Sequence, residues 1–160
     1  MNLRDIVLTD AIVPGLEATK RDHAIGELLD RLIACGAVDG SSRASLFKEA
    51  LVREKRGSTG FGHGVAVPHT KTSLVKKPIA ALGVSQTGVD FSSLDRQPVH
   101  SIIFMLSPKD HPEQHLAAME TIFGALSQET FRRFLRQARS RDDVLTLLDE
   151  TDGAANAGSA

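Results

Sequence analysis

The chain has 160 residues, of which 41% are hydrophobic and 24% are charged, and these values fit a single globular domain. Lysine and arginine number 19 against 20 aspartate and glutamate residues, so the formal net charge is −1. This balance excludes the basic excess that nonspecific binding to nucleic acids or membrane surfaces requires. Cys35 is the only cysteine, which excludes an internal disulfide and a cysteine-rich metal site.

The sequence contains no candidate membrane span. A spanning helix needs about 20 predominantly apolar residues, and no window approaches that length. We therefore expect a cytoplasmic protein with no segment inserted into a membrane. Phenylalanine is the only aromatic residue type present, so a platform for stacking single-stranded nucleic acid is not expected.

Two amphipathic helices are predicted first along the chain. Apolar residues recur at helical spacing over Thr19–Gly36, and Cys35 falls on the same buried stripe, as a packing thiol would. The second helix covers Ser41–Arg56. We interpret its charged end, residues 53–56, as a solvated last turn whose cations suit the negative end of the helix dipole.

The middle of the chain predicts a loop and three strands. The loop Gly57–Gly64 is rich in glycine, and a short strand, Val65–Val67, is expected to end at Pro68 because proline cannot donate to a sheet ladder. Two longer strands are predicted over Ile79–Val84 and Val99–Leu106. The unbroken apolar run of the last one is typical of a strand covered on both faces.

Three helices are predicted in the last third of the sequence. They cover Pro112–Ser127, with proline at the first position, then Phe131–Ala138, and then Ser140–Leu148. The remaining segment, Thr151–Ala160, has no apolar periodicity, so we expect a disordered tail. The alternation of helices and buried strands predicts one three-layer α/β domain over residues 1–150.

The glycine-rich loop does not match the common nucleotide-binding motifs. Gly57 and Gly62 have Walker A spacing, but His63 and Gly64 follow where lysine and serine or threonine are needed. A dinucleotide-binding loop would open a helix, whereas a strand is predicted here. The loop could still direct backbone N–H groups at an anion, or it could be a tight connection.

The six histidines raise the question of a metal or a nucleophile. His111 and His115 have the spacing of zinc ligands on one helix face, but a helix that begins at Pro112 leaves His111 outside it. His69 lies at a strand end beside the glycine-rich loop, where a neutral imidazole could accept a phosphoryl group. Spacing alone does not favour His69 over the other histidines.

The segment from Arg53 to His69, REKRGSTGFGHGVAVPH, resembles the active-site segment of enzyme IIA of the bacterial phosphotransferase system. The subgroup is the fructose/mannitol type (type 2), and the closest resemblance is to the nitrogen-regulatory enzyme IIA. The likeness extends from about Leu3 to Glu150. It implies the phosphotransferase/anion-transport-protein-like fold, in which helices flank a mixed, mostly parallel sheet.

The resemblance also implies a role for three residues. His69 corresponds to the histidine that accepts the phosphoryl group, Arg53 to the active-site arginine and His115 to the second active-site histidine. No cofactor or metal is implied. Thr70 stands where the family usually has glycine, and His63 is treated as a bystander.

The function implied is that of a phosphoryl carrier with a phosphohistidine intermediate. It would accept phosphate from an HPr-like carrier and pass it to a IIB component, or act through its phosphorylation state on regulatory targets. The absence of an attached IIB or membrane segment favours the nitrogen-regulatory type over a sugar-specific component. Two further alternatives are a non-catalytic regulatory module and a metal-dependent hydrolase that uses His63, His69 and either His111 or His115.

Overall fold

The computed structural model describes residues 1–158. In chain order, the helices and strands are α1 (Leu3–Ile6), β1 (Val7–Val13), α2 (Arg21–Ala34), α3 (Arg43–Arg56), β2 (Val65–Ala66), β3 (His69–Thr72), β4 (Ile79–Val89), β5 (Val99–Pro108), α4 (Pro112–Leu126), α5 (Glu129–Gln137) and α6 (Arg141–Gly158). A short 3₁₀ turn, Gly40–Ser42, precedes α3. Within these residues, no helix has both the length and the apolar composition to cross a bilayer.

The five strands found in residues 1–158 form one mixed sheet in the order β1-β4-β5-β2, with β3 also paired to β5. The pairs β1–β4, β2–β5 and β3–β5 are parallel, and β4–β5 is antiparallel. Because β4 occupies one side of β5, β2 and β3 follow one another along the other side and form the edge of the sheet. The mixed, mostly parallel sheet implied by the resemblance is confirmed.

The sheet is covered on both faces, as the apolar run of β5 predicts. Ile103 and Met105 pack into the core formed with α4, α5 and α6. The alternate residues of β5 pack into a second core with α2 and α3; they are Ile102, Phe104 and Leu106. This alternation confirms the three-layer α/β architecture.

Pro68 interrupts the edge of the sheet without ending it. The strand β3 begins at the next residue, and the carbonyl oxygen of Pro68 accepts a hydrogen bond from the Met105 N–H at 3.0 Å. An edge strand tolerates proline because the missing N–H costs the sheet no ladder bond on the outer side. The sheet edge therefore continues past the predicted end at Pro68 and carries His69.

The prediction of a disordered tail from Thr151 is wrong for residues 151–158, because α6 continues to Gly158. Residues 159 and 160 lie outside the described residues. Asp152 is only 9% exposed, and its carboxylate accepts hydrogen bonds from the Leu3 N–H at 2.7 Å and the Arg4 N–H at 3.1 Å. This contact ties the end of the chain to α1. Alanines in the segment also favour a helix.

Replacing Asp152 with alanine should therefore destabilise the fold. Two backbone N–H groups at the start of α1 would lose their acceptor. We therefore expect the free energy of unfolding to fall by about 1–3 kcal/mol, measured by urea denaturation that is monitored by circular dichroism. The matched control is Asp149→Ala. Asp149 lies on α6 like Asp152, and its substitution removes only an exposed ion pair with Arg4 of α1. The control should cost less than about 1 kcal/mol. Equal losses for the two variants would contradict this account of α6.

Candidate active site

The three residues singled out by the resemblance meet at the edge of the sheet. His69 is the first residue of β3, Arg53 lies in the last turn of α3, and His115 lies near the start of α4. Helices α3 and α4 belong to opposite layers, and their ends converge on the edge strand. All three side chains line one cavity of about 770 Å³.

A backbone carbonyl fixes the tautomer of His69. Nδ1 of the half-buried imidazole lies 2.7 Å from the carbonyl oxygen of Val67. Because a carbonyl can only accept, Nδ1 carries the hydrogen and Nε2 keeps its lone pair. Burial lowers the pKa of His69 below its ordinary value of 6.5, the Val67 bond opposes this, and the charge of Arg53 lowers the pKa further. The ring is therefore neutral at pH 7, with Nε2 available as a nucleophile.

His115 is a second neutral imidazole beside the first. The two ring centroids lie 5.5 Å apart, and the ring planes are tilted by 48°. Nδ1 of His115 lies 2.5 Å from the hydroxyl oxygen of Ser107. Burial, followed by the neighbouring His69, Lys71 and Arg53, lowers the pKa of His115 to about 4. His115 can therefore form hydrogen bonds in the cavity at pH 7 without carrying a charge.

Arg53 provides a permanent positive charge in the cavity. One of its nitrogens, Nη1, donates to the carbonyl oxygen of Gly57 at 3.0 Å, which anchors the guanidinium at the end of α3. The guanidinium stays protonated at any relevant pH, and its planar array of donors matches the oxygens of a phosphoryl group.

Four further cations line the same cavity and were missed by sequence reasoning: Lys48, Arg56, Lys71 and Lys109. Glu49 is the one carboxylate among the lining residues that the structure describes. The cavity is thus strongly positive although the chain as a whole has a formal net charge of −1. One signal in the sequence was available, because Lys71 follows His69 by two residues and alternate residues of a strand share a face.

The glycine-rich loop is a tight connection held by its own hydrogen bonds. Glu54 is 2% exposed, so the run 53–56 is not wholly solvated as expected. Its carboxylate accepts from the Thr59 N–H at 2.8 Å, the Thr59 hydroxyl at 2.7 Å and the Ser58 hydroxyl at 3.2 Å. The Gly60 N–H donates to the Ser58 hydroxyl. These N–H and hydroxyl groups form their hydrogen bonds within the loop, and no residue of the loop lines the cavity.

The position where the family usually has glycine accommodates threonine without strain. Thr70 is buried in β3 and pairs with Leu106 of β5. Among the described residues, the non-glycine positions with positive φ are elsewhere, at His63, Ser92 and Arg96. Extended backbone at Thr70 therefore has no need of the conformational freedom of glycine.

The other histidines do not line the cavity that holds His69 and His115. His63 is exposed and lines a separate cavity, and His111 precedes α4, where its Nδ1 lies 3.2 Å from a carboxylate oxygen of Glu113. Within residues 1–158, no three His, Cys, Asp or Glu side chains converge as a metal site would require. The alternative of a metal-dependent hydrolase therefore has no ligand cluster in this part of the chain.

Comparison with known proteins agrees with the fold. Residues 6–151 match the family model described as phosphoenolpyruvate-dependent sugar phosphotransferase system, EIIA 2. A nitrogen regulatory protein from Bradyrhizobium diazoefficiens is 30% identical to this chain; the alignment covers 92% of this chain and 95% of the relative's length. The nitrogen regulatory protein IIA-Ntr from Neisseria meningitidis superposes with a TM-score of 0.80 at 30% identity, covering 90% of this chain and 97% of the other.

A sugar-specific relative is equally similar in sequence. The fructose-specific EIIABC component of Bacillus subtilis is 31% identical over 95% of this chain, which spans only 24% of that relative's length. The class defined by these matches is a phosphotransferase domain of the α/β type. The chain belongs to the EIIA 2 family of the phosphoenolpyruvate-dependent sugar phosphotransferase system, which confirms the resemblance seen in the sequence.

The lowered pKa values predict how the two histidines titrate. In NMR spectra recorded against pH, His115 should titrate with a pKa of about 4 and His69 below 6.5. Because the fold favours the neutral rings, their contribution to stability should be complete above pH 6.5 and fall as the pH drops towards 4.

The control for this titration is His69→Gln. Removing the neighbouring imidazole takes away one cause of the low pKa, so the pKa of His115 should rise in this variant. An ordinary titration of His115 near 6.5 in the unchanged protein would contradict the burial and charge assigned to the cavity.

Proposed function

We propose that this chain is a phosphoryl carrier that accepts a phosphoryl group on Nε2 of His69 from the phosphohistidine of an HPr-like protein. One observation carries the proposal: the Val67 carbonyl leaves the Nε2 lone pair of His69 free in a cavity that also holds Arg53 and His115. Such a transfer needs a nucleophile, a planar set of hydrogen-bond donors and a neutral hydrogen-bonding group. His69, Arg53 and His115 would supply them in that order.

The transfer balances without a cofactor. The Nε2 lone pair attacks phosphorus and a new N–P bond forms. The N–P bond of the donor breaks, and its electron pair stays on the donor nitrogen; because the other nitrogen of the donor ring carries a hydrogen, a neutral imidazole leaves. The hydrogen on Nδ1 of His69 stays in its bond to Val67. Arg53 holds the phosphoryl oxygens, and the surrounding lysines favour the negative charge, so catalysis consists mainly of positioning and electrostatic stabilisation.

The surroundings of the cavity suit the docking of partner proteins. Val52 lines the cavity and is 44% exposed, while Leu116 follows His115 and is 60% exposed. Such apolar groups beside the nucleophile would be covered by a donor or an acceptor protein. The proposed partners are the HPr-like carrier, a IIB component and regulatory target proteins. Because phosphoenolpyruvate is formed in the cytoplasm, the proposal places the chain there.

The nitrogen-regulatory role is the form of this function that we favour. A nitrogen regulatory protein aligns with this chain along 95% of its own length, and a protein of the same name has the same fold at a TM-score of 0.80. A regulatory module without phosphotransfer is disfavoured, since binding alone does not require a histidine with a fixed tautomer beside an arginine and a second neutral histidine.

A sugar-specific role is the second candidate. It is favoured by the 31% identity to a fructose-specific relative, whose printed name, EIIABC component, joins an A part to B and C parts. Transfer of the phosphoryl group from this chain to an isolated IIB protein, measured with radioactive label, distinguishes the sugar-specific role from the regulatory one.

His69→Ala should abolish phosphorylation. When the protein is incubated with labelled phosphoenolpyruvate, enzyme I and HPr, the unchanged chain should take up label that is acid-labile and stable in alkali, as a phosphoramidate is. The control is His63→Asn, because His63 lies outside the cavity and asparagine accepts its positive φ of 60°. Equal labelling of His69→Ala and the unchanged protein would sink the assignment.

Arg53→Lys should slow the transfer even though the charge is retained. An ammonium group cannot make the paired contacts of a guanidinium, and a loss of about 1.5–3 kcal/mol corresponds to a rate about 10- to 100-fold lower in rapid-quench labelling. Arg56→Lys is the matched control. Arg56 also lines the cavity, but it is exposed on the same turn and lysine keeps its charge, so the rate should change much less. Unchanged rates in Arg53→Lys would remove this residue from the site.

A further inference from the structure

A buried hydroxyl lies behind the second histidine. Ser107 is near the end of β5, its side chain is fully buried, and its oxygen lies 2.5 Å from Nδ1 of His115. Within residues 1–158, this is the one hydrogen bond that the Ser107 hydroxyl makes. The position of Ser107 is set by the sheet, because its backbone pairs with Lys71 of β3.

The direction of this hydrogen bond follows from burial. If Nδ1 of His115 carried the hydrogen, the hydroxyl hydrogen of Ser107 would be buried without an acceptor, and buried donors are rarely left unpaired. If the hydroxyl donates to Nδ1, every polar hydrogen in the pair has a partner. Ser107 is therefore the donor, and the hydrogen of the neutral His115 ring resides on Nε2.

The two histidines are then held in opposite tautomers. The Val67 carbonyl accepts from Nδ1 of His69, which leaves a lone pair on Nε2 of that ring. The Ser107 hydroxyl donates to Nδ1 of His115, which leaves an N–H on Nε2 of the other ring, 5.5 Å away between centroids. One ring presents a nucleophile and the other presents a hydrogen-bond donor to the same cavity.

We propose that Ser107 is a positioning residue for phosphoryl transfer: its hydroxyl holds His115 in the Nε2–H tautomer, in which His115 donates a hydrogen bond to the phosphoryl oxygens carried by His69. With the opposite tautomer, the Nε2 lone pair would face those oxygens and repel them. The inference rests on the proposed function, but the tautomer itself can be measured without any phosphoryl transfer.

The first test is the tautomer of His115 by ¹⁵N NMR at pH 7 on the unphosphorylated protein. In the unchanged chain, the shifts should show a protonated Nε2 and an unprotonated Nδ1. In Ser107→Ala, the ring should lose this preference and populate both tautomers. A His115 ring protonated on Nδ1 in the unchanged protein would overturn the proposal, whatever the result of the labelling experiments.

The second test is the rate of phosphorylation by phospho-HPr. Ser107→Ala should slow it about tenfold, and Ser107→Thr, which keeps the hydroxyl, should restore most of the rate. Ser101→Ala is the matched control on the same strand: Ser101 is buried at 3% exposure and pairs with Val65 and Val84, away from β3 and the cavity. The control should leave the rate unchanged.

A double-mutant cycle separates positioning from a structural effect. In a His115→Ala background, Ser107→Ala should cost no further rate, because its target is already absent. A tenfold loss in both backgrounds, or no loss in either, would overturn the role of Ser107. If the unchanged protein takes up no label at all, the proposed function fails, while the tautomer measurement still decides the hydrogen bond.

Discussion

The pairing of β3 with β5 is the constraint on which the site depends. β5 is buried on both faces and is held by β4 on one side, so its register is fixed by the two cores. The parallel ladder then places His69 opposite Met105 and Lys71 opposite Ser107. A shift of one residue would turn His69 to the other face of the sheet. The position of His69 at the edge of the sheet is therefore set by the packing of β5 in the middle of the domain.

The cavity combines a positive field with histidines that stay neutral. Burial disfavours the protonated rings, and the nearby Arg53 and Lys71 act in the same direction on both pKa values. The same cations favour a phosphoryl group, which carries the opposite charge. One distribution of charge thus keeps both imidazole rings unprotonated and favours an anion in the cavity.

Several features could not be foreseen because they depend on contacts that form only in the folded chain. The helix over residues 151–158 is stabilised by the bond from Asp152 to the start of α1, about 150 positions away along the chain. The burial of Glu54 within a charged run depends on the fold of the following loop. Pro68 correctly signals a break, but the continuation of the edge in β3 depends on pairing with β5. Local propensity carries no information about such contacts.

The sequence by itself indicated the class of fold and the family, because periodicity and a short specific segment are local properties. Through the family resemblance it also indicated His69, Arg53 and His115 as candidate site residues. Its balanced composition also excluded a broadly basic surface, yet it concealed the concentration of cations around one cavity. Only the tertiary structure decided which hydrogen each histidine carries, which lysines surround the pair and where Ser107 lies. Those properties arise from burial and from contacts between layers, and both exist only once the sheet and its helices have packed.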